Sequence, residues 1–170
     1  VSVPLYPTIT ADTIEYVMKH SEAKVAFVGK LDDWARQKAG MPSDVHTISF
    51  PFWTEECDAN WDKIIADTPP LRISEIRHGD ELITIIYTSG TTGTPKGVML
   101  SHNNYVWMSG KLEEALRSTG LELKGDETTL GYLPPWHIGD RLFESTCLGI
   151  GTTVAFTSIP NLAADLKAVN

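Results

Sequence analysis

The side chains best suited to chemistry in this chain lie together in residues 88–97. Hydroxyl groups, glycines and one lysine follow one another there, in the order Thr88, Ser89, Gly90, Thr91, Thr92, Gly93, Thr94, Pro95, Lys96 and Gly97. Glycines let successive backbone N–H groups point into one concavity, hydroxyls add neutral donors, and the lysine adds a positive charge. The pattern therefore predicts a loop that cradles phosphate oxygens. The alternative is a solvated hairpin turn, which the lysine between two apolar runs makes less favoured.

This loop differs from the two best-known phosphate-binding patterns. The Walker A loop needs four residues between its glycines and a hydroxyl residue after its lysine. Here only two residues separate Gly90 from Gly93, and Gly97 follows Lys96. The dinucleotide fingerprint G-x-G-x-x-G does not fit either. If the loop binds phosphate, it does so by another geometry.

A second group of candidate residues occupies positions 132–141. It begins at the end of an apolar strand pattern, continues through two prolines, and places His137 where a helix pattern starts. Ligands of open α/β sheets bind at the carboxyl ends of the strands, so this corner is a candidate site. From the residues alone, two interpretations of His137 remain open. It is either a packing or capping histidine, or a functional one.

The elements that must position these groups alternate along the chain. Strand-like apolar runs occupy residues 25–28, 45–50, 82–87, 98–100, 128–133 and 153–156. Helical periodicity occupies residues 10–21, 31–40, 58–66, 101–119, 137–148 and 161–169. This alternation predicts an α/β layered domain with a largely parallel sheet flanked by helices, its strands buried on both faces.

The composition of the chain argues against two classes of binding function. Acidic residues outnumber basic ones by 22 to 14, which gives a net charge of −8. Non-specific binding to nucleic acid or to an anionic membrane needs a basic face, so the charge argues against both. The two cysteines, Cys57 and Cys147, have no metal-ligand or redox spacing and fit reduced thiols. We therefore expect a cytoplasmic protein.

The two groups of candidate residues resemble a known family. Residues 88–97 resemble the phosphate-loop signature of the adenylate-forming (AMP-binding) enzymes over ten consecutive positions. Residues 132–141 are similar to the Tyr-Leu-Pro-x-x-His-x-x-Glu-Arg segment of the long-chain acyl-CoA synthetases within that family. The matching positions there are Tyr132, Leu133, Pro134, His137 and Arg141. Asp140 replaces the usual glutamate and Gly139 the usual phenylalanine, so the acyl-chain preference stays open.

The resemblance implies an ATP-dependent acid–thiol ligase of fatty-acid metabolism. Such an enzyme joins a fatty acid to AMP and then transfers the acyl group to coenzyme A. Lys96 and His137 would be catalytic, with His137 near the reacting carboxylate. The ATP phosphates would be held by Lys96 together with Thr88, Ser89, Gly90, Thr91, Thr92, Gly93, Thr94 and Gly97. The family's Thr-Glu motif, which holds Mg²⁺, has no counterpart in residues 1–170, so no metal ligand is expected in this chain.

The extent of the chain gives a further expectation. Val1 begins within a strand-like segment and Asn170 directly follows a helical pattern. We expect residues 1–170 to be part of an AMP-binding N-terminal domain, cut at both ends and inactive alone. Another adenylating enzyme, such as an aryl-CoA ligase or a peptide-synthetase domain, is an alternative, and so is a non-catalytic phosphate-binding module. The oligomeric state and any peripheral membrane contact of a full-length protein stay open.

Overall fold

The computed structural model describes residues 1–31, 33–88, 93–120, 124–134 and 136–169. The helices are α1 (Ala11–His20), α2 (Trp34–Gln37), α3 (Trp61–Asp67), α4 (His102–Ser118), α5 (Ile138–Ile150) and α6 (Leu162–Ala168). The strands are β1 (Val25–Val28), β2 (His46–Ser49), β3 (Ala59–Asn60), β4 (Leu82–Thr88), β5 (Lys96–Ser101), β6 (Thr128–Gly131) and β7 (Thr153–Phe156). A 3₁₀ turn, Lys38–Gly40, continues α2.

The chain forms two compact units. One comprises Ser2–Arg77 and Tyr87–Val98, and the other comprises Val1, His78–Ile86 and Met99–Asn170. In the first unit, β1, β2 and β3 form a parallel sheet in that order. In the second, β6 and β7 run parallel with all four residues of each strand paired. Strands β4 and β5 are hydrogen-bonded to each other.

The core of the first unit lies under α1. Thr10 caps this helix by accepting a hydrogen bond from the Thr13 N–H. Its apolar residues recur at helical spacing, and Ile14 and Met18 pack against Ala26 of β1 and Val45. The helix predicted over residues 10–21 is confirmed.

In the second unit, α4 and α5 have well-defined caps. Ser101 and Asn104 form a reciprocal capping box at the start of α4, the helix predicted over residues 101–119. Helix α5 ends at Gly151, whose φ of 97° lies in the left-handed region that glycine adopts without steric cost. Helices α4 and α5 pack against each other.

The predicted α/β fold with largely parallel strands flanked by helices is confirmed, but two details are wrong. The strands are not buried on both faces: β1 alternates exposed and buried residues, and in β5 Val98 and Met99 are 46% and 64% exposed. Successive strand side chains face opposite sides, and only one side of β1 is covered within its unit. Helix α3 begins at Trp61 rather than near Asp58, because the Asp58 carboxylate instead accepts bonds from the N–H and hydroxyl of Thr47. No helix in the described ranges is long and apolar enough to cross a membrane.

Candidate functional site

The described part of the candidate loop is exposed and follows a strand that is partly buried. Thr88 is the last residue of β4 and is exposed, while the preceding Tyr87 is buried. Gly93 and Thr94 are also exposed, and Gly93 has a φ of +85°. Glycine adopts this left-handed backbone without steric cost. Ser89, Gly90, Thr91 and Thr92 lie outside the described residues, so the predicted convergence of their amides stays a prediction.

Lys96 lies at the start of β5 rather than within the loop. Strand β5 begins at Lys96 and includes Gly97, so both residues belong to regular structure. The Lys96 side chain is exposed, and no carboxylate within the described ranges forms an ion pair with its ammonium group. The strand fixes the backbone from which this side chain extends, and its ammonium group is available to an anionic ligand.

The opposite end of the β4–β5 pair is tied by hydrogen bonds. The His102 N–H donates to the Glu81 carbonyl at 3.0 Å, which places the end of β5 beside the start of β4. The Asn103 N–H donates to the Gly79 carbonyl at 2.7 Å, and the Asn103 Nδ2 donates to Asp80 Oδ1 at 2.9 Å. A Cβ at position 79 would lie 2.1 Å from Asn103 Oδ1, so a larger residue there would displace the Asn103 side chain.

His137 caps helix α5. Its Nδ1 accepts a hydrogen bond of 3.1 Å from the Gly139 N–H, and its backbone is extended. Because Nδ1 is the acceptor, the neutral ring carries its proton on Nε2. A Cβ at position 139 would lie 3.2 Å from Nδ1, so Gly139 leaves room for this cap. The side chain is exposed. The capping interpretation of His137 is therefore observed, and it leaves Nε2 for a second role.

A pair of carboxyl groups lies on α5 one turn beyond this cap. Asp140 is 2% exposed, and its side chain is hydrogen-bonded to Glu144, while Oδ2 has no hydrogen-bond partner among the described residues. Burial raises the pKa of Asp140, although the Glu144 hydrogen bond and the nearby His137 oppose that shift. Burial, the Asp140 charge and their hydrogen bond together raise the pKa of Glu144. Two carboxyl groups can share a hydrogen bond only when one carries a proton.

Arg141 connects α5 to β4. Its Nη1 donates to Thr84 Oγ1 at 3.4 Å, and Thr84 is completely buried. The same strand ends at Thr88, the first residue of the candidate loop. Arg141 was singled out in the sequence as part of the His137 segment, and the structure places it as a link between that segment and β4.

Two side-chain partners in this region are not predicted from the sequence. His20 of α1 is hydrogen-bonded to Tyr87 of β4 through its Nδ1, at 2.7 Å from the Tyr87 hydroxyl oxygen. Sixty-seven residues separate the two, so no local pattern could reveal the contact. Glu144 was missed as well, although its spacing of four from Asp140 on an apolar helix was a usable signal.

The two candidate catalytic residues, Lys96 and His137, belong to different compact units of the chain.

The described residues do not form a metal centre. They contain no cluster of three or more His, Cys, Asp or Glu side chains arranged to hold a metal ion. The described loop positions, Thr88 and residues 93–97, carry hydroxyl, amide and ammonium donors but no carboxylate. Mg²⁺ prefers carboxylate oxygens, whereas phosphate prefers such donors. This set therefore suits the phosphate side of a nucleotide and does not fit the metal.

Comparison with known proteins identifies the family. The sequence profile of the family described as AMP-binding enzyme matches residues 1–170. Long chain acyl-CoA synthetase 4 of Arabidopsis thaliana is 32% identical over 168 residues, a match that covers 91% of this chain and 25% of that protein. The chain thus spans about a quarter of the length of the curated relatives it matches.

Solved structures show the same fold. ATP-bound MatB from Rhodopseudomonas palustris is 26% identical with a TM-score of 0.72, and the match covers 99% of this chain and 32% of that one. O-succinylbenzoate coenzyme A synthetase from Bacillus subtilis, in complex with ATP and magnesium, has 20% identity and a TM-score of 0.68 over 98% of this chain and 40% of that one. That second likeness concerns the fold alone. Profile, relatives and fold agree, and the chain belongs to the AMP-binding enzyme family.

Proposed function

We propose that this chain is the phosphate-binding part of an ATP-dependent acyl-CoA ligase that activates fatty acids, with long-chain acids as the substrate class. The observation that carries the proposal is the exposed ammonium of Lys96 at the head of β5, which forms no ion pair with the described residues and lies three residues after the left-handed Gly93. Family membership and the identity to a long chain acyl-CoA synthetase support the reaction type and the substrate class.

The proposed reaction has two steps. A carboxylate oxygen attacks the α-phosphorus of ATP, a new C–O–P linkage forms, and the bond from that phosphorus to the leaving pyrophosphate breaks. The thiol of coenzyme A then attacks the acyl carbon, loses its proton, and displaces AMP. Mg²⁺ would screen the phosphate charge, with ligands other than the described loop residues. Negative charge collects on the departing pyrophosphate, so fixed donors and a fixed cation stabilise the first step.

Each candidate residue has a proposed role in the first step. The Lys96 ammonium would hold the β- and γ-phosphates, assisted by the hydroxyls of Thr88, Ser89, Thr91, Thr92 and Thr94 and by the backbone of Gly90, Gly93 and Gly97. The Nε2–H of His137 would lie near the reacting carboxylate. Because Nδ1 is engaged by the Gly139 N–H, the ring would reach the substrate with a fixed tautomer. We further propose that the 170 residues alone form no acyl-adenylate, and detection of acyl-adenylate by the isolated chain would overturn that part.

Pyrophosphate exchange into ATP in the full-length protein tests the assignment of Lys96. We expect Lys96→Ala to lower exchange by about 10²–10³-fold, the range for losing one preorganised donor. Lys96→Arg keeps the charge and should retain more activity than Lys96→Ala. Lys111→Ala is a matched control, because Lys111 pairs with Glu114 on the surface of α4 and should leave exchange unchanged. Unchanged exchange in Lys96→Ala would refute the assignment.

The substrate class needs a separate measurement. Acyl-CoA formation from fatty acids of increasing length, aryl acids and amino acids distinguishes a fatty acyl-CoA ligase from other adenylating enzymes. We expect the highest kcat/KM with long-chain fatty acids. A clear preference for an aryl or amino acid would overturn the substrate class while leaving the role of Lys96 intact.

A further inference from the structure

Three aromatic rings meet where β4 approaches the candidate loop. The His20 ring stacks on Tyr16 with their centroids 5.3 Å apart and their planes 24° apart. Tyr87 meets both rings edge-on, with centroids 5.8 Å from His20 and 6.4 Å from Tyr16. The Tyr87 hydroxyl and His20 Nδ1 are 2.7 Å apart. We call these three residues the ring cluster.

The ring cluster holds the residue immediately before the loop. Tyr87 is 7% exposed, whereas Thr88, the next residue, is exposed. Successive strand side chains point to opposite faces, so the orientation of Tyr87 determines the face to which Thr88 points. The edge-on contacts with Tyr16 and His20 restrict the Tyr87 ring, and the hydrogen bond to His20 fixes its outer end. The strand is thereby anchored at the position from which the loop leaves it.

We propose that His20 and Tyr87 are positioning residues for nucleotide binding, and that their hydrogen bond fixes the start of the phosphate-binding loop. The inference rests on the proposed function, because it assigns to these residues an effect on ATP. A displacement of about 1 Å in a group that orients a substrate can cost roughly 10²-fold in rate. A hydrogen bond at Tyr87, the residue before the loop, is therefore expected to change ATP binding before it changes the binding of other substrates.

The hydrogen bond can form in either direction. The Tyr87 O–H donates when Nδ1 is unprotonated, and the Nδ1–H donates to the Tyr87 oxygen when it is protonated. Burial raises the pKa of Tyr87, so its hydroxyl keeps its proton at neutral pH. Tyr87→Phe removes the bond in both directions and retains the ring. His20→Asn retains a polar group near the position of Nδ1, and His20→Ala does not.

The test measures ATP affinity in the full-length protein. We expect Tyr87→Phe and His20→Ala each to raise the Kd for ATP, measured by calorimetry without fatty acid, by about 3- to 10-fold, the effect of one net hydrogen bond. The KM for ATP should rise in parallel, while the KM for fatty acid stays unchanged. The double variant should bind ATP no more weakly than either single variant, and His20→Asn should recover part of the affinity. Tyr105→Phe is the matched control, since it removes the hydroxyl of a half-buried tyrosine on α4.

The outcomes separate this inference from the proposed function. If Lys96→Ala loses exchange but Tyr87→Phe and His20→Ala bind ATP like Tyr105→Phe, the positioning role is overturned and the ligase assignment stands. If Tyr87→Phe and His20→Ala change the KM for both substrates equally, the hydrogen bond has a general structural role and the inference is also overturned. If Lys96→Ala is unaffected, the proposed function and this inference fall together. His20→Ala alters an exposed side chain, so it remains informative if Tyr87→Phe folds poorly.

Discussion

His137 has a structural role that can be separated from its proposed catalytic one. Its Nδ1 accepts from the Gly139 N–H at the start of α5, and its Nε2 is left for substrate. His137→Ala removes both functions. His137→Asn removes the imidazole but supplies a side-chain oxygen, which is among the preferred N-cap acceptors.

The expected magnitudes differ for stability and for activity. Loss of an N-cap acceptor costs about 0.5–2 kcal/mol, which for a chain of this size lowers the Tm by roughly 1–8 °C. We expect this loss in His137→Ala and little of it in His137→Asn. Both variants should lose adenylation to a similar degree, about 10²-fold, since neither carries a ring N–H toward the carboxylate.

Two assays on the same preparations provide the measurement. Urea unfolding followed by circular dichroism reports the cap, and pyrophosphate exchange reports the first chemical step. If His137→Asn is as unstable as His137→Ala, the capping argument is wrong. If His137→Asn retains full exchange, the imidazole has no catalytic role and His137 is a structural cap only.

Two further predictions concern stability. Because the pKa values of Asp140 and Glu144 are raised, the folded chain holds their protons more strongly than the unfolded chain. Their contribution to folding stability is therefore complete below the ordinary carboxyl pKa. It is lost as the pH rises through the raised pKa values. Glu144→Gln stays neutral and should gain stability relative to the wild type as pH rises from acid to neutral; a gap in unfolding free energy that is constant with pH would contradict this. Gly40→Ala should destabilise by about 1–3 kcal/mol, because its Cβ would lie 2.0 Å from the Ala11 carbonyl oxygen. Gly110 lies within α4, and among the described residues no atom outside that helix's backbone would lie within 4 Å of a Cβ there. Gly110→Ala should therefore stabilise the fold by roughly 0.5–1 kcal/mol. Equal urea midpoints for the Gly40→Ala and Gly110→Ala variants would refute the steric argument.

Local signals predicted most of the fold. Thr10 and Ser101 cap their helices because a short polar side chain before an apolar periodic stretch satisfies free N–H groups within the same few residues. The start of α3 was misplaced because Asp58 bonds to Thr47, eleven residues earlier in the chain. The apolar composition of β5 suggested burial, but the composition of a strand does not show which of its faces is covered by other elements.

The sequence predicts which residue types make up the candidate site, but it does not predict their arrangement. Residue types and spacing singled out Lys96 and His137 as candidates, yet they did not place Lys96 in β5 or show that Nδ1 of His137 is engaged. The bond between His20 and Tyr87 joins elements far apart in sequence, and such contacts follow from tertiary packing rather than from periodicity.

The backbone of Gly93 has a consequence for chemical synthesis of the protein. A Cβ at this position would meet no atom of the described residues within 4 Å, so among those residues it is the φ of +85°, and not lack of space, that favours glycine. A D-amino acid favours this φ because its allowed regions mirror those of an L-residue. A semisynthetic chain with D-alanine at position 93 should therefore accept the native backbone path, whereas L-alanine should strain it.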